Sequence, residues 1–344
     1  MGRVVLVTGV CRDLGGRFAR RIAGHPAVER VIGVDGVPPR RDLGDVRFVR
    51  ADIRNPVIAK VIAAEDVDTV VHLSVIATPS GTGGRTLMKE INVIGTMQLL
   101  AACQRAPGVR RLVVKSSAHV YGSSSKDPAM FAEEMAPRRM PRAGYGKDSV
   151  EVEGYVRGFA RRRPDVTVTM LRCANLMGPE IETSMTRYFS LPLVPTVLGF
   201  DSRLQFCHEE DALAALELAT VSGVHGTFNV SGDGVLMLSQ AVRRVGRPSL
   251  PLPSFVLSTM GSSMPQLRGV EMSPEQVGFL TYGRGIDTTR MRTVLGFEPR
   301  FTTPDAFGAF AQRVNPGVLD PGRLEQWERQ AQEVVSQMVT RARR

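Results

Sequence analysis

Tyr145-Gly146-Lys147-Asp148-Ser149 stops one residue short of a proton-transfer helix. A tyrosine with a lysine four residues later carries both side chains on one helix face. An ammonium beside a phenol favours the phenolate, and a tyrosine so tuned moves a proton near neutral pH. Here the fourth residue is Ser149, and the nearby lysine, Lys147, stands at the second position. At roughly 100° per residue, Lys147 falls about 200° round the helix, on the wrong face. Lys115 offers another cation. It precedes Ser117 by two residues in the apolar run Arg111–Ser117, and side chains two apart on a strand share a face. If Ser117 faces a reacting group, Lys115 faces it too. The alternative is a lysine that snorkels to solvent at the strand end. His119 follows, either as a proton relay or as a packing residue. Tyr121 is expected to pack beneath its loop, and Arg142 is a candidate to orient an anion.

A second constellation sits at the start of the chain. Val4-Val5-Leu6-Val7-Thr8-Gly9 reads as a strand running into a turn, with a helix after it. Gly9 and Gly15 suit a turn where bare backbone approaches a pyrophosphate at a helix N-terminus. Arg12 and Asp13 occupy the zone where a middle glycine would stand. Asp35 ends the next strand 20 residues after Gly15, placed to accept hydrogen bonds from an adenine ribose and to repel a 2′-phosphate. That favours NAD. Arg12, Arg40 and Arg41 pull toward NADP, because guanidinium groups pair with phosphate.

These groups need a rigid frame, and the patterning supplies one. Apolar runs at Arg3–Thr8, Arg30–Asp35, Val46–Arg50, Thr69–Leu73, Arg111–Ser117 and Val166–Leu171 read as buried parallel strands. Helical patterns separate them near Leu14–Ala23, Pro56–Ala64, Gly84–Arg105 and Gly144–Arg162. The alternation predicts an α/β fold with a doubly wound, Rossmann-type parallel sheet. The expected organisation is a dinucleotide-binding domain over residues 1–178, with 203–231 returning to it. A smaller substrate or lid region spans 179–315, and a C-terminal amphipathic helix spans 316–344.

Composition narrows the partners. The 344 residues carry a net charge of +10, from 44 basic and 34 acidic side chains. The arginines come in short clusters without the interleaved aromatics of a single-strand groove, so no nucleic-acid partner is expected. Attraction to anionic cofactors and substrates is consistent with the charge. Four isolated cysteines, with no metal-type spacing, predict reduced thiols in a cytoplasm and no metal site. No signal peptide and no membrane span are expected. The apolar stretch Leu252–Leu257 reads as core packing. A lipid-like pocket, or membrane-surface contact together with the basic tail helix, is the alternative.

The chain resembles the extended short-chain dehydrogenase/reductase family, the NAD-dependent epimerase/dehydratases. It looks closest to a bacterial UDP-glucose 4-epimerase-like subgroup with altered active sites. The resemblance rests on Thr8-Gly9 with Leu14-Gly15, on Ala51 to Asn55, on Val70 to Ser74 and on Asn92 to Thr96. It continues through Ser116 to Gly122, Tyr145-Gly146 and Leu171 to Pro179. It implies that Asp52 and Ile53 flank the adenine and that Leu73-Ser74 run beneath the pyrophosphate and nicotinamide ribose. Ser117 takes the hydroxyl position and Tyr145 the acid/base position, with Asn92 ordering a helix and a water. Ser149 falls in the lysine slot, and Glu153 keeps the glutamate expected one turn later. Asn175 would meet a nucleotide-sugar substrate, with Arg203 or Arg268 as the diphosphate partner. Gln205 stands where the family has an acid, which puts Arg203 in doubt. His208 and Asp211 would make structural hydrogen bonds. A homodimer through the helices Gly84–Arg105 and Gly144–Arg162 is also implied. Two functions remain open at this point. One is an oxidoreductase or epimerase/dehydratase with a non-standard tetrad, acting on a nucleotide-sugar-like or other hydroxyl or carbonyl substrate. The other is an inactive NAD(H)-binding sensor or assembly protein.

Overall fold

The computed structural model describes residues 2–39, 41–75, 77, 84–260 and 273–314. Six strands of the central sheet are β1 (Arg3–Thr8), β2 (Val28–Asp35), β3 (Arg47–Arg50), β4 (Thr69–His72), β5 (Arg111–Ser117) and β6 (Thr167–Cys173). A seventh, Gly226–Val230, adds at one edge. The spatial order from that edge is Gly226–Val230, β6, β5, β4, β1, β2, β3. Every pairing is parallel. Their valine-, isoleucine- and leucine-rich runs suit strands buried on both faces. Val5 and Val7 enter one core with Phe18, Ile22 and Leu216, while Leu6 enters the other with Ile58, Leu99 and Phe159. The winding reverses between β1 and β4. A crevice therefore opens outside the carboxyl ends of those two strands, where Gly9 and Leu73-Ser74 lie.

The helices that frame this crevice are α1 (Asp13–Ala23), α2 (Val57–Ala64), α3 (Gly84–Lys89), α4 (Thr96–Arg105) and α5 (Gly144–Arg162). The sequence pattern predicts one helix over Gly84–Arg105. The structure instead interrupts it with a π-turn, Glu90–Gly95. Thr96 Oγ1 donates to the Asn92 carbonyl at 2.5 Å, satisfying an acceptor in the widened turn. At Gly95 a Cβ would come within 2.7 Å of Ile53, so the turn lies tightly against the loop after β3.

The second half of the chain builds another core, from Met177, Tyr188, Phe189, Phe206, Phe307 and Phe310 among others. Leu252 and Leu257 pack on it, whereas Phe255 between them is 70% exposed. Helix Glu209–Ser222 faces the sheet, contributing Ala212, Leu213 and Leu216 to the core that holds α1. Arg40, Arg268 and the amphipathic stretch 316–344 lie outside the described residues.

A buried polar chain ties β1, β4 and α4 together. Leu73 N donates to Thr8 Oγ1 at 3.2 Å, Thr8 Oγ1 meets His72 Nδ1 at 2.9 Å, and His72 Nε2 meets Thr96 Oγ1 at 2.8 Å. The Thr96 hydrogen is committed to Asn92, so Nε2 must donate and Nδ1 must accept from Thr8. Every group is satisfied with a neutral imidazole. Burial pushes the His72 pKa down to about 4. An unfolded histidine titrates near 6.5, so below that pH the unfolded state binds the extra proton and stability falls until about pH 4. The loss sums to about 3 kcal/mol. Urea unfolding of the wild type and His72→Gln from pH 7 to pH 4 checks this. The wild type should lose that much more stability than the variant, and parallel curves would refute it.

Candidate functional site

At the head of α1, Gly9 adopts φ +82°, in the left-handed region that favours glycine. A Cβ at Gly15 would sit 2.1 Å from the Gly9 carbonyl oxygen, so only glycine lets the helix start this close to the turn. Leu14 and Leu73 anchor the turn from the core. Beside it opens a cavity of about 410 Å³ lined by Arg12, Asp35, Asp52, Ile53, Arg54 and Ser74. Asp35 accepts from Cys11 N at 3.2 Å and lines the cavity. Arg12 is exposed. Arg41 is engaged by Asp13 at 3.1 Å. Burial, aided by Asp35, pushes the Cys11 thiol up to about 12, so it is not a thiolate at neutral pH.

Arg54 is a residue that sequence reasoning passed over. It grips Asp52, with Nη2 to Oδ2 at 2.6 Å, and reaches Glu90 in the π-turn at 2.7 Å. The hydrogen bond from Arg54 pulls the Asp52 pKa down. The Asp52-Ile53-Arg54 spacing was the available signal.

The carboxyl end of β5 brings Lys115 and Ser117 to one side of the strand. Ser116 between them points the other way and donates to Glu153 at 2.6 Å. Lys115, Ser117, His119, Tyr145, Asn175 and Met185 line a cavity of about 100 Å³. Ser117 Oγ lies 2.8 Å from His119 Nδ1. The His119 ring meets the Tyr145 ring edge-on, with centroids 5.3 Å apart. Burial disfavours the Lys115 ammonium, while negative charge on Tyr145 favours it most among its neighbours, and the balance is upward. His119 is pushed well below the ordinary histidine value, by burial first and then by Arg284 and Lys115. It is a neutral imidazole wedged between Ser117 and Tyr145, which the sequence left open between relay and packing.

Ser149 does not occupy this cavity. It is buried, and its hydroxyl donates back to the Tyr145 carbonyl at 2.9 Å within α5. Lys147 pairs with Glu151 at 3.8 Å away from the cavity. Asn92 acts at one remove. Its Nδ2 donates to Asp148 at 3.1 Å, and Arg85 holds both oxygens of Asp148 at 2.6 Å, which fixes the first turns of α5.

Asn175 opens a short strand opposite Phe206 and faces the cavity. Arg203 is exposed and does not line it. Its backbone carbonyl accepts from Arg284 N at 3.2 Å. Gln205 is buried and accepts from Ile286 N at 2.8 Å. His208 caps helix Glu209–Ser222 and stacks on Phe301 at 3.8 Å, while Asp211 accepts from Arg300 N and Phe301 N, all structural contacts.

A third cavity, also about 410 Å³, adjoins the Tyr145 cavity and shares His119, Gly146 and Glu275 with it. Arg139, Arg142 and Arg284 line it. Arg284 donates to the Gly122 carbonyl at 2.6 Å and lies over the Phe279 ring at 5.1 Å. Burial lowers its pKa to about 10, so it stays a cation at neutral pH. Of these, only Arg142 carried a signal in the sequence.

The family model described as NAD dependent epimerase/dehydratase matches residues 5–231. An uncharacterised protein of Mycobacterium tuberculosis is 51% identical over 334 residues, spanning 96% of this chain and 89% of its own. A dTDP-glucose 4,6-dehydratase of Streptomyces niveus is 27% identical over 325 residues, 88% of this chain and 89% of its own. Among solved structures, the UDP-glucuronic acid 4-epimerase of Bacillus cereus, in complex with UDP-glucuronic acid and NAD, superposes with a TM-score of 0.69. It covers 90% of this chain and 98% of its own at 18% identity, so the likeness is one of fold.

Proposed function

The chain belongs to the NAD-dependent epimerase/dehydratase family, and on that premise we propose that it binds NAD(H) and works on a nucleotide-sugar-like substrate. The reaction is oxidoreduction or epimerisation/dehydration at a carbinol or carbonyl carbon. One observation carries the reading: Lys115, Ser117, His119 and Tyr145 converge on a single cavity that Asn175 also lines. The cofactor residues suit the dinucleotide, since Gly15 lets the N-terminus of α1 start against the Gly9 turn, the strand–turn–helix arrangement that receives a pyrophosphate. Asp35 favours NAD over NADP, and Arg41, engaged by Asp13, is drawn away from a 2′-phosphate.

NAD, when bound, accepts or returns the hydride. Tyr145 holds the proton that leaves or joins the substrate oxygen. Ser117 Oγ, aligned by His119 Nδ1, hydrogen-bonds the same oxygen. The Lys115 ammonium brings positive charge into the Tyr145 cavity from the strand, in place of the lysine that Ser149 displaced from the helix.

Ile94 in the π-turn, Met97 on α4 and Tyr155 on α5 are exposed apolar residues that support a homodimer built on these helices. The four cysteines are free thiols, which supports a reducing cytoplasm. No described helix is long and apolar enough to cross a membrane. Native mass spectrometry of the purified chain tests the assembly and the cofactor together. The expected species is a dimer that releases NAD(H). A monomer removes the interface, and no bound nucleotide even after incubation with NAD(H) or NADP(H) removes the functional reading.

A further inference from the structure

The arginine-lined cavity beyond Tyr145 has no role in the chemistry described above. Arg139, Arg142 and Arg284 converge there, and none of the three forms an ion pair with any described carboxylate. Several buried or half-buried arginines of this protein do meet carboxylates, as Arg17, Arg54, Arg85 and Arg172 show. Arg284, the half-buried one of the three, donates to the Gly122 carbonyl and the Ser123 hydroxyl and lies over the Phe279 ring, with the Asp127 carboxylate favouring its charge from beyond ion-pair distance. Glu275 supplies a second anomaly. It lines both this cavity and the Tyr145 cavity, and its Oε2 is buried without a hydrogen-bond partner. Arginines without an ion pair and an unpartnered carboxylate oxygen therefore share one place, next to the reacting centre.

Resting on the nucleotide-sugar reading above, we propose that this cavity receives a carboxylate borne by the sugar, so that the substrate is an acidic nucleotide sugar. Guanidinium forks match a carboxylate in geometry and charge. A sugar hydroxyl beside it donates to Glu275 Oε2. A phosphate dianion suits the cavity less well, because it would meet the Glu275 carboxylate across the same space. The nucleotide then extends through the cavity of Asn175, Thr183 and Met185, on the other side of Tyr145. The carbon that Tyr145 serves lies between the two ends.

Calorimetric titration of the full chain, saturated with NAD, with UDP-glucuronic acid and UDP-glucose tests this. Hydrogen bonds to charged groups should make the acid bind roughly 10- to 100-fold more tightly than the neutral sugar. In Arg139→Ala/Arg142→Ala, both exposed positions, the preference should collapse to within about threefold. Arg138→Ala, outside the cavity lining, should keep it. Equal affinity of the wild type for both ligands overturns the proposal while leaving the nucleotide-sugar reading intact. So does a double variant that weakens both ligands alike, which would assign the arginines to the diphosphate. Binding of neither ligand overturns the nucleotide-sugar reading itself, and the proposal with it.

Discussion

Lys115→Met should lower turnover by about 100-fold or more, toward the full range of roughly 10²–10⁴ that general acid–base catalysis supplies. Methionine keeps most of the stem volume and removes the charge, so folding should survive. The loss follows from the arrangement around β5. Ser149 is turned into its own helix, and Lys147 faces Glu151 away from the cavity, so neither supplies an ammonium beside Tyr145. Lys115 shares a cavity with Tyr145 and is coupled to its charge. His119 offers no substitute cation, because burial and the neighbouring Arg284 and Lys115 keep it neutral. Turnover is measured with UDP-glucuronic acid and UDP-glucose, and cofactor affinity by NADH fluorescence. If both quantities stay within about a factor of two of the wild type, Lys115 has no catalytic part. Adding Ser149→Lys to Lys115→Met should restore part of the rate, since it returns an ammonium to the face of α5 that carries Tyr145.

What the sequence could reveal here follows the range of the interaction. The sheet and α5 were legible because valine-rich runs and helical periodicity are local. The expected helix Gly144–Arg162 matches the observed bounds, and the strand Arg111–Ser117 does too. The face shared by Lys115 and Ser117 was legible for the same reason, since it needs only the strand's period of two. The π-turn at Glu90–Gly95 was not. Its causes are Thr96 bonding back to Asn92 and the approach of Ile53 to Gly95, and neither leaves a periodic trace. Arg284 was invisible for a stronger reason: it reaches the site from 139 positions beyond Tyr145, in a loop without regular patterning. Arg54 stood beside residues already singled out and His119 was itself a candidate, yet their partners, Glu90 and Tyr145, come from other elements.

Arg172→Met should cost about 3–5 kcal/mol of stability, the usual penalty for breaking a buried ion pair from one side. Arg172 on β6 donates to Glu153 on α5 through Nε at 2.9 Å and Nη2 at 2.7 Å. Its Nη1 serves the Tyr121 hydroxyl at 2.7 Å and the Glu133 carbonyl at 2.9 Å. Glu153 also accepts from Ser116 at 2.6 Å, so three elements meet at one carboxylate. Removing the guanidinium leaves that carboxylate buried with Ser116 and the outer Arg157 as partners, and it strips two further acceptors of their donor. Methionine fills the stem but satisfies none of these groups. Urea unfolding should show a lower midpoint with an unchanged slope. Glu153→Gln in the same background should recover part of the loss, because the stranded charge is gone. A loss below about 1 kcal/mol would show that the pair is dispensable. The clamp also bears on the chemistry. Ser116 lies between Lys115 and Ser117, and Glu153 lies two turns along the helix from Tyr145. The ion pair therefore sets how the strand carrying the cation stands against the helix carrying the phenol. Arg172→Met protein that remains folded at low temperature should accordingly lose turnover more than it loses NAD affinity, since the Gly9 turn and Asp35 belong to β1 and β2 and are untouched.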